Sequence, residues 1–107
     1  MKKVDVLGTE YKVIRSTASK DYNLRNIDGY CDNTSKRIVI DAMIPMPGTV
    51  DDLDKYAMQV VRHELVHAFL FESGLSGNSW ANNDEIVDWI AIMFPKMLEA
   101  FYDAGAI

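Results

Sequence analysis

The sequence predicts an α+β domain, because short β-prone runs fill the first 45 residues, two long helical stretches fill the rest, and Pro45 and Pro47-Gly48 punctuate the change. Residues 3–7 and 10–15 should pair as a hairpin about Gly8-Thr9. Residues 16–27 are polar and read as either a short helix or a loop. Residues 29–32 and 36–41 flank Asn33-Thr34-Ser35 and should form a second hairpin, in which Ile38, Val39 and Ile40 are the clearest strand. Thr49, Asp51 and Asp52 supply helix N-terminal chemistry, so a helix is expected over 51–72, closed by Ser73-Gly74. Residues 76–82 read as a loop, and a second helix is expected over 83–104, with Pro95 bending or splitting it. The plan is a single domain over 1–107, a small sheet followed by two helices.

Composition narrows the function. Apolar residues are 49% of the chain and charged residues 25%, the make-up of a globular protein rather than a disordered one. A net charge of -5 disfavours nucleic acid as a partner. No apolar run nears the roughly 20 residues that span a bilayer, and Asp5 and Glu10 interrupt any signal-peptide core, so no membrane partner is expected. One cysteine forms no internal disulfide, and a cytoplasmic setting is the expectation.

The chemistry lies in His63-Glu64-Leu65-Val66-His67, which fits H-E-x-x-H inside the first predicted helix. Residues four apart share a helix face, so both imidazoles can reach one ion at about 2 Å. Glu64 projects beside them and suits a general base that takes a proton from water and later delivers it to a leaving amine. A catalytic zinc takes three protein ligands, and the chain has no third histidine, so the third is acidic or is Cys31. Asp84 and Glu85, at the start of the second helix, compete. At about 100° per residue Asp84 borders the face of Val87, Ala91, Phe94 and Leu98, whereas Glu85 shares the polar face of Lys96, Glu99 and Asp103. This phase favours Asp84, while Glu85 has the longer reach. Asp88, one turn after Asp84, is placed to accept the second ring N–H of a ligand histidine.

The segments 63–70, Glu72-Ser73-Gly74-Leu75 and Val87-Asp88-Trp89-Ile90-Ala91 resemble the small zincin-like metallopeptidases of phages and mobile elements, akin to the ImmA/IrrE family and the minimal gluzincins. The resemblance covers about the C-terminal half. It implies a sheet packed on the motif helix, with an edge strand that docks an extended peptide; in this sequence that strand is expected over 36–41, with Ile38, Val39 and Ile40 as the substrate-binding residues. The gluzincin pattern sets a ligand Glu four residues before an Asp. Here the Asp matches Asp88, and the ligand position carries Asp84, an Asp for Glu replacement.

The expected function is a zinc-dependent peptidase acting on a peptide or protein substrate, with one zinc held by His63, His67 and Asp84, or alternatively Glu85, and with Glu64 as general base. The alternative is an inactive zinc-binding protein with a regulatory or interaction role. Tyr30, Tyr56, Tyr102 and Arg62 are candidate oxyanion donors. Cys31 reads first as a small core residue, Met43, Met46, Met58, Met93 and Met97 as core filler or a pliable groove, and Ala68-Phe69-Leu70-Phe71 as core. The substrate's identity and the oligomeric state leave no mark in the sequence.

Overall fold

A computed structural model describes residues 1–49, 51–77, 80 and 83–107. Residues 78, 79, 81 and 82 of the expected 76–82 loop lie outside that set. Four strands, β1 (Lys2–Val6), β2 (Thr9–Ser16), β3 (Gly29–Asp32) and β4 (Arg37–Asp41), precede two helices, α1 (Leu53–Glu72) and α2 (Asp84–Asp103). Both expected hairpins form. The first turns one residue earlier than expected, on Leu7-Gly8, since Val6 pairs with Thr9. Both turn residues take positive φ, 52° and 90°, the primed geometry that matches strand twist and that glycine supplies without strain. The ambiguous stretch contains one 3-10 turn, Tyr22–Leu24, capped by Asp21.

The sheet order is β1-β2-β4-β3, with β2 and β4 parallel and the hairpins antiparallel. This arrangement overturns one expectation. β4 is an interior strand, hydrogen-bonded on both sides, and Ile38, Val39 and Ile40 are 0%, 2% and 0% exposed, so they cannot form a docking edge. Alternation sends Ile38 and Ile40 into the main core with Val6, Tyr11, Val60 and Ala68. Val39 points to the other face, which the 3-10 turn with buried Leu24 covers. The free edge near the helices is β3.

Helix α1 lies across β3 and β4 and buries Ala57, Val60, Glu64 and Ala68. Asp52 caps it by accepting from the Lys55 amide, and Gly74 (φ 77°) ends it, with the Leu75 amide donating to the Leu70 carbonyl. Its last residue, Glu72, is pinned to the sheet by Thr9 Oγ1 (3.0 Å), Tyr11 OH (2.7 Å) and Lys36 Nζ (2.9 Å). Phe69 and Phe71 are about 40% exposed, so of the expected apolar core run only Ala68 is fully buried.

Helix α2 packs chiefly against α1 and runs through Pro95 without a break. A proline has no amide hydrogen to give the carbonyl four residues back, here that of Ala91. Arg62 Nε from α1 donates to that carbonyl at 2.6 Å, satisfying it and joining the two helices.

Candidate metal centre

The paired helices converge on His63, His67 and Asp84. Asn83 caps α2 by accepting from the Glu85 amide at 2.9 Å, which sets Asp84 in the first turn, where a carboxylate complements the helix dipole. Asp84 Oδ1 lies 2.9 Å from His67 Nε2 and 3.7 Å from His63 Nε2. One turn on, Asp88 Oδ1 is 3.3 Å from His63 Nδ1, so the ring presents its Nε2 to the cluster. The imidazole centroids are 5.0 Å apart with their planes at 65°. Glu85 does not join this group and is exposed.

The donor set fits a metal ion. The three ligand atoms lie within 4.8 Å of one another. Tetrahedral bonds of about 2.0–2.1 Å would set such atoms roughly 3.3 Å apart, between the two distances to Asp84 Oδ1. Two neutral imidazoles and one carboxylate are also ligands that zinc accepts. Burial, and then His63, pushes the His67 pKa down, against the pull of Asp84, so His67 favours its neutral, lone-pair-bearing form.

Glu64 stands beside the cluster. It is 8% exposed and has no hydrogen-bond partner among the described residues. No sealed side-chain oxygen among those residues lacks a partner, so its carboxylate must open to the cleft. Burial raises its pKa, His63 opposes that shift, and Asp84 adds to it.

Two cavities meet at His63 and Glu64. One, of about 400 Å³, runs between β3 and the cluster past Tyr30, Cys31, Asn33 and Leu70. The other, of about 170 Å³, is bounded by Asp28, Tyr56, Gln59 and Asp88. Gly29 lies on both, and a Cβ there would sit 2.9 Å from Ile40 Cδ1 and 3.0 Å from both the Val39 carbonyl and Val60 Cγ1. Only glycine lets β3 come this close to α1. Gly29 was not among the residues expected at the site, although a glycine inside a strand signals such an approach.

The other candidates separate cleanly. Cys31 lines the cleft but is not one of the three clustered donors; its Sγ donates to Asn33 Oδ1 at 3.3 Å, and burial, then Glu64, pushes the thiol up to about 12. Arg62 is turned away to the Ala91 carbonyl. Tyr102 is 71% exposed on the last turn of α2, roughly 20 Å along the helix from Asp88 at 1.5 Å per residue. Tyr30 and Tyr56 do line the cleft, their hydroxyls donating to Asp21 and Asp28. Met46 and Met58 are exposed, whereas Met43 packs on the core.

Compared with protein-family models, curated proteins and solved structures, the chain matches none of them.

Proposed function

We propose that this chain is a zinc-dependent peptidase of zincin-like construction, with His63, His67 and Asp84 as the metal ligands and Glu64 as general base. The observation that carries the reading is the buried, unpartnered Glu64 carboxylate opening into a cleft beside three convergent metal-ligand atoms. A zinc ion at that donor set supplies Lewis acidity toward a peptide carbonyl and lowers the pKa of water.

The chain's own residues do the rest. Glu64 accepts a proton from a water molecule as its oxygen attacks the carbonyl carbon, and returns that proton to the amine nitrogen as the C–N bond breaks. Asp88 holds His63 in one tautomer. The substrate lies along β3, whose only strand partner among the described residues is β4. The Asp41 amide donates to the Asp28 carbonyl, and antiparallel alternation then turns the backbone groups of Gly29 and Cys31 away from β4, where an extended peptide can pair with them.

The test is hydrolysis of an unstructured peptide mixture by the zinc-loaded protein and by Glu64→Gln prepared identically. The variant should keep its zinc and lose turnover by about 100-fold or more. Equal turnover in the two proteins would remove Glu64 from the mechanism. Zinc binding without hydrolysis by either protein would favour a regulatory zinc-binding role.

A further inference from the structure

The cleft does not end at the cluster. The 170 Å³ cavity shares Asp28 and Tyr56 with a third cavity of about 520 Å³, lined by Ala18, Met43, Ile44 and Leu53 among others. The three together form one trough along α1 and β3, with His63 and Glu64 at its middle. Its charged lining is one-sided. Asp28, Asp41, Glu64, Asp84 and Asp88 face it, and among the described residues no lysine or arginine does.

Cations close to the trough are committed elsewhere, Lys36 to Glu72, Arg62 to the Ala91 carbonyl and Arg37 Nε to Ser35 Oγ. Within the central cavity Asp28 is a fixed group rather than a waving surface charge. Its side chain accepts from Tyr56 OH, and its carbonyl accepts from the Asp41 amide at 2.8 Å. Behind these aspartates, the inner wall of the same cavity carries Glu64, a residue 8% exposed whose carboxylate opens to the cavity and has no hydrogen-bond partner among the described residues.

We propose that the trough selects extended peptides with a cationic side chain next to the cleaved bond, and that Asp28 is the residue that determines this preference. The inference rests on the peptidase reading and adds a substrate class to it. A lysine or arginine seated in the central cavity meets the carboxylates of Asp28 and Asp88, whereas an acidic side chain there is repelled by both. Because Asp28 is exposed to water, the selectivity is moderate, roughly three- to fivefold.

The experiment digests a mixture of unstructured peptides of randomised sequence with zinc-loaded wild type, Asp28→Asn and Asp28→Glu, and maps the cleaved bonds by mass spectrometry. Preference is scored within each protein, as the frequency of lysine and arginine at each position around the bond relative to the mixture. Asparagine retains an acceptor for Tyr56, so the charge alone is removed. The expected result is roughly three- to fivefold enrichment at one position in wild type and Asp28→Glu, and none in Asp28→Asn. Cleavage without cationic enrichment, or enrichment unchanged in Asp28→Asn, overturns the proposal and leaves the peptidase standing. No cleavage by wild type removes the peptidase reading and this inference with it.

Discussion

The two halves of the candidate metal centre are held very differently. The histidines sit on α1, whose inner face is packed against the sheet through Val60 and Ala68 and whose last residue, Glu72, is fastened by three hydrogen bonds. Asp84 and Asp88 sit on α2, which buries only Val87 and Ala91 and leaves Trp89, Phe94, Leu98 and Phe101 between 41% and 52% exposed. The Asp84 side chain itself is 78% exposed. One half is a rigid floor, and the other is an arm resting on it. Metal binding would then join the arm to the floor, adding the docking of α2 to the stability of the whole.

The sharpest contrast comes from truncating apolar residues in each half. Ile40→Ala in the floor should cost about 3 kcal/mol, as transfer and cavity terms add in a sealed core. Phe101→Ala on the arm should stay within about 0.5 kcal/mol. Urea melts of both variants measure the difference, and equal losses would mean that α2 is as firmly packed as the sheet. Next in size, Gly29→Ala should lose about 1–3 kcal/mol and widen the β3–α1 spacing, because the added methyl meets backbone as well as side chains. The hydrolysis proposed for this chain should fall by more than the folded fraction does.

The seam between the halves is expected to cost less. Arg62→Ala leaves the Ala91 carbonyl without the donor that Pro95 cannot supply, at about 1–2 kcal/mol. The amides that gain hydrogen-exchange rate should lie in α2 and not in the sheet. The pH dependence belongs to the floor. Hydrogen bonds from Lys36 and then Tyr11 hold the Glu72 carboxyl below its ordinary value of 4.5, so its contribution is fully present above that pH and is lost as pH falls through the lower, folded-state value. The stability difference between wild type and Glu72→Gln should therefore be constant near neutrality and shrink in acid; a difference that grew on acidification would contradict the assignment.

Much of this was legible in the residues, for reasons that differ by element. The hairpins follow from turn chemistry at Gly8 and at 33–35, and both helices from their apolar spacing and caps. The helix phase favoured Asp84 over Glu85, and it is Asp84, though 78% exposed, whose carboxylate lies against the histidines. The sheet order was not legible from hairpins alone, because joining β2 to β4 is a long-range event. A signal was nevertheless present. Ile38, Val39 and Ile40 form an unbroken apolar run, which marks a strand buried on both faces rather than an edge. Pro95 was expected to bend or split the second helix, which instead runs through it; the donor to the Ala91 carbonyl, Arg62, lies 33 residues from Pro95 in sequence and shows only in the packed helices.

The central claim, one metal site shared between floor and arm, is tested most directly by metal content. Wild type, His63→Ala, Asp84→Ala and Glu85→Ala, purified identically and supplied with zinc, would be measured by elemental analysis. About one zinc per chain is expected in wild type and Glu85→Ala, with loss of the metal in His63→Ala and Asp84→Ala. A wild type that holds no zinc, or an Asp84→Ala variant that keeps it while Glu85→Ala does not, would contradict the account.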